Sequence, residues 1–227
     1  MSVHITWHGH STFSLDVNGT HLLVDPFFDG NPVAKRKANA VAADYILLTH
    51  GHGDHVADAL PIAQRTGATV ISNFEIVTWL GSKGHEKGHG QNIGGGFQHP
   101  FGHVKMTMAF HSSTLPDGSS GGDPGGFLLT VDGKKIYIAG DTALYSDMAL
   151  VGRVGLDVAI LPVGDNYTMG PDDSLLALEY LKPKVVIPCH YNTWPIIGID
   201  VQNWAERVRR ETACQPVVLE VEGSYSL

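Results

Sequence analysis

The chain has 227 residues, 43% of them hydrophobic and 17% charged, with a formal net charge of −8. This balance excludes a disordered, collagen-like or coiled-coil chain, and an acidic chain without a basic run is a poor match to a phosphate backbone. Two cysteines are too few for a disulfide framework, and no stretch approaches the roughly 18 apolar residues of a membrane span. The N-terminal stretch lacks the basic and apolar segments of a secretory signal. The expectation is a single α/β domain over 1–227, in the cytoplasm, with a small-molecule substrate, no nucleic-acid or membrane partner, and homo-oligomer formation left open.

Residues 3–7 and 13–17 are rich in β-branched and aromatic side chains, and Asn18-Gly19 predicts a tight hairpin into a strand at 21–24. The apolar run 45–49 predicts a buried strand. A helix is expected at 57–65, closed by Gly67, then a strand at 69–72 and a short helix at 74–80. Residues 81–103, rich in Gly and His without a period, read as a loop with one irregular strand at most. Strands at 104–110 and 126–131 flank the turn-rich segment 112–125, a long loop inside one domain. Asp132-Gly133 predicts a second hairpin into 135–139. Strands at 158–163, 185–188 and 217–221 complete the set, with helices at 175–181 and 201–212. The order predicts two similar halves, each a sheet with helices on one side, packed with the sheets face to face.

Histidine is abundant, with 13 in the chain, and its placement carries the chemistry. His50, His52, Asp54 and His55 stand within six residues, directly after a buried strand. Strand ends hold loops rigidly, and Gly51 and Gly53 are expected to let the backbone turn sharply so that the four side chains converge. Imidazole and carboxylate together suit zinc and related divalent ions. Three further polar residues each follow a predicted strand: His111, Asp141 and His190. One such histidine alone is an ordinary turn residue; the three beside the first motif read as ligands.

These residues carry a resemblance. The passages Trp7-His-Gly-His-Ser-Thr12, Leu48-Thr-His-Gly-His-Gly-Asp-His55 and His111-Ser-Ser113 resemble the metallo-β-lactamase superfamily, as do Tyr137-Ile-Ala-Gly-Asp-Thr142, Leu161-Pro-Val-Gly-Asp165, Thr168-Met-Gly-Pro171 and Ile187-Pro-Cys-His-Tyr-Asn-Thr193. More narrowly, they resemble a metal-dependent hydrolase family close to the L-ascorbate-6-phosphate lactonase group. The resemblance spans nearly the whole chain. It implies a four-layer αβ/βα sandwich with a two-metal site at the sheet edges. His50, His52 and His111 would hold the first ion, Asp54, His55 and His190 the second, and Asp141 would bridge them. The ions would be zinc first, with manganese, iron, nickel and cobalt as alternatives. A bridging hydroxide would then attack a small ester, lactone, amide or phosphodiester, and no serine or cysteine nucleophile is needed. Asp54 is the candidate for assisting proton transfer.

Other residues keep two readings. His8 and His10 flank Gly9 at the end of the first strand, either as a pocket-edge pair or as a turn tied to backbone; His8 is the candidate substrate contact. Tyr191 and Asn192, just after His190, are further candidates for binding substrate. Asp25 is either a carboxylate that orients a histidine or a turn residue before Pro26. His85 and His89 have the spacing of one helical face, but Gly84, Gly88 and Gly90 argue against a helix. Three rival functions stand beside hydrolysis of a small substrate. A nuclease is disfavoured by the charge. A diiron oxidoreductase is disfavoured because its relatives carry a carboxylate where His52 stands. A binding or sensing protein that keeps the metal for structure is disfavoured by the intact ligand set.

Overall fold

The computed structural model describes residues 3–227, so the first two residues of the expected domain lie outside it. The first half runs β1 (Val3–Gly9), β2 (Thr12–Val17), β3 (Thr20–Val24), β4 (Tyr45–Leu47), α1 (Gly53–Val56), α2 (Ala59–Thr66), β5 (Thr69–Asn73), α3 (Phe74–Ser82) and β6 (Gly88–Gln91). The second runs β7 (Gly96–His99), β8 (Gly102–Met108), β9 (Gly125–Val131), β10 (Lys134–Ile138), α4 (Met148–Gly152), β11 (Val158–Pro162), α5 (Pro171–Leu181), β12 (Val185–Cys189), α6 (Val201–Glu211), β13 (Gln215–Pro216) and β14 (Ser224–Ser226). Among the described residues these strands form two seven-stranded sheets, ordered β14-β1-β2-β3-β4-β5-β6 and β13-β12-β11-β10-β9-β8-β7.

The halves share one plan. In the first, β1, β2 and β3 are antiparallel, and β4, β5 and β6 then add in parallel. In the second, β8, β9 and β10 are antiparallel, and β11, β12 and β13 add in parallel. Each antiparallel part turns on an L-residue and a glycine with positive φ: Asn18 at 52° with Gly19 at 85°, and Asp132 at 50° with Gly133 at 74°. Such turns match the twist of the flanking strands.

Side-chain alternation assigns the layers. In β3 and β4, Leu22, Val24 and Leu47 join the core between the sheets, while Leu23 and Ile46 join a separate core with Ile62 of α2 and Ile76 of α3. A period of two puts neighbours on opposite faces of a sheet, so helices cover the outside and the other sheet covers the inside. Phe13 and Leu15 meet Phe127, Leu129 and Ile136 in the central layer, and Leu178, Trp204 and Val208 cover the second sheet. The architecture is the expected four-layer sandwich. No described helix is long and apolar enough to cross a membrane.

Three expectations change. Residues 81–103 hold β6, β7 and the start of β8 rather than an irregular loop. Gly88 lies so close to Val77 of α3 that a side chain there would clash, and Gly90 packs against Phe74; tertiary approach, not a residue pattern, makes this strand. The run 217–221 is not a strand. It crosses from the second sheet to the first, turning at Glu222 (φ 71°) into β14, which pairs with β1. The helix expected at 57–65 is α2, starting at Ala59, and a separate unexpected turn of helix, α1, precedes it within the histidine motif.

Candidate metal centre

The centre forms where strand ends from both sheets meet. Asp25 follows β3, residues 49–55 follow β4, His111 lies just past β8, Asp141 past β10 and His190 after β12. Asp25 holds the β4 end: its Oδ1 accepts from Thr49 N at 2.8 Å and its Oδ2 from Thr49 Oγ1 at 2.6 Å. The same Oδ2 lies 2.9 Å from His55 Nδ1. Of the two readings of Asp25, the structure takes the one that orients a histidine. Neither Gly51 nor Gly53 has positive φ. Gly51 is needed for closeness instead: a side chain there would press on Leu115 at 3.2 Å, and its N–H donates to Ser113 Oγ at 3.0 Å.

Asp141 is the hub. Its Oδ2 lies 3.0 Å from His190 Nε2, 3.3 Å from His55 Nε2, 3.7 Å from His111 Nε2 and 4.0 Å from His50 Nε2. His50 Nε2 and His52 Nδ1 are 3.0 Å apart. Three sets of ligating atoms lie mutually within 4.8 Å: His50, His52 and His111; His50, His55 and Asp141; and His10, Asp54, His55 and His190. The seven residues expected as ligands thus come together in two groups with Asp141 beside both, and a buried His10 joins the second.

The electrostatics follow from burial and mutual charge. Burial works against ionisation of Asp141, yet the charges and hydrogen bonds of His190 and His55 hold it well below the carboxylate range. Burial also opposes a charge on His55, but Asp141 and Asp25 raise its pKa well above the ordinary imidazole value. At Asp54 the burial effect is again outweighed, here by the His10 hydrogen bond and His55, so its pKa is lowered. Burial lowers His50 strongly and brings His10 to about 4. The donor set fits a divalent ion. It is made of nitrogen and oxygen, and Asp141 Oδ1 and His55 Nε2 are buried without a hydrogen-bond partner. Cys189 is no competitor: it is buried, and burial pushes its thiol up.

A cavity of about 370 Å³ opens over His52, Asp54, His111, Asp141 and His190, with Ser112, Tyr167 and Trp194 as its other walls. The three residues expected to bind substrate are elsewhere. His8 is buried with both ring nitrogens engaged, at 2.9 Å from Glu222 Oε1 and 2.9 Å from Ser14 Oγ. Tyr191 is buried and stacks on Trp7 at 5.3 Å. Asn192 Oδ1 accepts from Ile199 N at 2.8 Å and so shapes its own loop. Past β12 the chain takes positive φ at His190 and Asn192, which turns Tyr191 and Asn192 away, and Trp194 reaches the cavity in their place. Ser112, the residue after His111, was also missed; adjacency to a ligand was the available signal.

His85 Nε2 is 3.0 Å from Ala68 O, and His89 packs on Phe97 and His99. Gln98 pairs with His103 and His99 with Gly102, so His99 and His103 face opposite sides of one hairpin. Those histidines form none of the ligand groups found among the described residues.

Comparison with known proteins agrees with this geometry. The profile of a family described as the beta-lactamase superfamily domain matches residues 4–190. A UPF0173 metal-dependent hydrolase of Heliobacterium modesticaldum is 50% identical over 209 residues, 88% of this chain and 87% of that one. One from Bacillus cytotoxicus is 46% identical over 229 residues, covering 98% and 99%. Among solved structures, Igni18, a metallo hydrolase of the archaeon Ignicoccus hospitalis, superposes with a TM-score of 0.91 at 36% identity, covering 100% of this chain and 99% of that one.

Proposed function

The chain belongs to the UPF0173 metal-dependent hydrolases of the β-lactamase superfamily, and from that premise we propose that it hydrolyses a small ester, lactone, amide or phosphodiester over two divalent ions. One observation carries the proposal: a single buried carboxylate oxygen, Asp141 Oδ2, within 4.0 Å of imidazole nitrogens from both ligand groups. His50, His52 and His111 would hold one ion, Asp54, His55 and His190 the other, with Asp141 between. Ions held this way supply Lewis acidity and a water of lowered pKa.

The chain's own groups supply the rest. Asp25 fixes the ring of His55, Thr49 Oγ1 lies 3.0 Å from His50 Nδ1, and Ser112 Oγ lies 3.1 Å from His52 Nε2. Held rings present their ligating nitrogens without reorganisation. Asp54 lines the cavity with its Oδ2 against His10, which leaves Oδ1 to hold or pass a proton. Among the described residues the cavity walls contain no Lys or Arg, while Tyr167 and Trp194 offer aromatic surface. Such walls favour a substrate whose non-reacting part is apolar or planar, and give no side-chain clamp for a separate phosphate group.

The test is turnover by metal-loaded protein on p-nitrophenyl acetate, a γ-lactone and bis(p-nitrophenyl) phosphate, with and without chelator, beside Asp141→Ala. Hydrolysis of at least one that vanishes with chelator and in the variant is the expected result. Metal-loaded protein that turns over none of them would count against hydrolysis and for a binding role.

A further inference from the structure

The second half of the centre holds one imidazole more than the resemblance assigns. His10, at the end of β1, is fully buried, with Nε2 at 3.0 Å from Asp54 Oδ2 and its ring 4.2 Å from that of His190. One ligating atom from each of His10, Asp54, His55 and His190 lies within 4.8 Å of every other, the closeness found for His50, His52 and His111.

Two further observations point the same way. His10 Nδ1 lies 2.8 Å from Thr193 Oγ1. The far nitrogens of His50, His52 and His55 are held in the same manner, by Thr49, Ser112 and Asp25. If Nδ1 donates to Thr193, a lone pair remains at Nε2 and faces a carboxylate oxygen, which is also an acceptor. In the metal-free chain a proton on Nε2 bridges this pair; with Nδ1 donating to Thr193, an ion takes that proton's place. The backbone supports the pairing. His10 and His190 both have φ of 54°, a left-handed conformation that costs about 1 kcal/mol or more in a residue other than glycine. His190 N donates to His10 O at 3.0 Å, and Trp7 Nε1 donates to the same oxygen at 3.0 Å. Strand ends from opposite sheets are therefore locked together at these two histidines.

We propose that His10 is a direct ligand of the ion held by Asp54, His55 and His190, so that one half of the centre offers three imidazoles and a carboxylate and the other three imidazoles. The inference rests on the metal-centre reading of the proposed function. Its chemical consequence is inequality. The His10 half, with Asp141 added, suits ions that accept five or six ligands, such as manganese, iron, cobalt or nickel. The His50 half suits a four-coordinate ion such as zinc.

Metal-free wild type, His10→Ala, His10→Gln and Thr193→Val are titrated with cobalt(II). Bound metal after desalting, the visible spectrum and hyperfine-shifted ring N–H signals in proton NMR are the readouts, with circular dichroism as the fold control. Wild type should retain two ions per chain. Both His10 variants should lose one shifted N–H signal and hold the second ion about 10-fold or more weakly. Thr193→Val, which keeps the imidazole, should move one such signal without removing it; this arm stands even if the His10 variants fail to fold. Two ions with an unaltered spectrum and set of shifted signals in the His10 variants would overturn the inference and leave His10 as a hydrogen-bond donor to Asp54. So would a Thr193→Val protein in which none of these signals moves. Wild type that takes up no cobalt would overturn the metal-centre reading itself.

Discussion

Two regions of this molecule are rich in histidine, and only one is built as a site. Around Asp141, four imidazoles from three strand ends converge on one carboxylate oxygen, and the far nitrogens of His50 and His55 are tied to Thr49 and Asp25. In the hairpin of β7 and β8 and the neighbouring β6, His89 and His99 meet aromatic rings. His99 stacks on Phe101 at 5.4 Å, and burial, with His89 and His103 nearby, lowers its pKa to about 4. No carboxylate contributes to that shift. Histidine density is therefore not the mark of the centre. A buried carboxylate hub, facing nitrogens and fixed far nitrogens are.

The comparison breaks most sharply at the hub. Asp141→Ala removes the oxygen that both ligand groups face, and should cost metal from the protein and roughly 10³-fold in any hydrolysis, read by elemental analysis and initial rates. A smaller loss is expected one contact away. Asp25→Asn keeps the size of the side chain but replaces a paired oxygen acceptor beside His55 Nδ1 and Thr49; metal affinity should fall about 10- to 100-fold, measured by competition with a chromophoric chelator.

Titration sharpens the contrast further. The metal-free pKa of His55 is raised, so its charge stabilises the metal-free fold fully below about 6.5 and loses that effect as pH rises through the folded value. An ion requires the bare nitrogen. Metal uptake at pH 7 should therefore release about one proton per chain from this residue, seen by calorimetry in buffers of different ionisation enthalpy. His99 has the opposite sign: its pKa is lowered, so the unfolded chain takes the proton first and stability falls as pH drops from about 6.5 towards 4. His99→Gln should flatten that limb by an amount of order 1 kcal/mol in urea melts while leaving metal content unchanged.

Much of this was legible in the residues. Strand alternation, the Asn18-Gly19 and Asp132-Gly133 turns and the apolar runs before Thr49, Asp141 and His190 locate most strands, and the polar residues after them locate the ligand groups. What failed depended on tertiary approach. The strand at Gly88–Gln91 exists because Gly88 lets it press against Val77, and no local pattern encodes that. The run 217–221 is apolar because it crosses the edge between the sheets. His8, Tyr191 and Asn192 stood near the motif in sequence but turn from the cavity into partners of their own: Glu222 and Ser14, Trp7, and the Ile199 backbone. Side-chain direction just past a strand end, where φ goes positive at His190 and Asn192, is set by the loop rather than by spacing.

The most direct test is a crystal of protein purified without chelator or polyhistidine tag, with anomalous difference maps recorded on both sides of each metal edge. Two peaks are predicted, one among His50, His52 and His111 and one among His10, Asp54, His55 and His190, with Asp141 between them. Fully ordered side chains with no peak after soaking in zinc or manganese would contradict the metal centre, and with it the proposed hydrolysis.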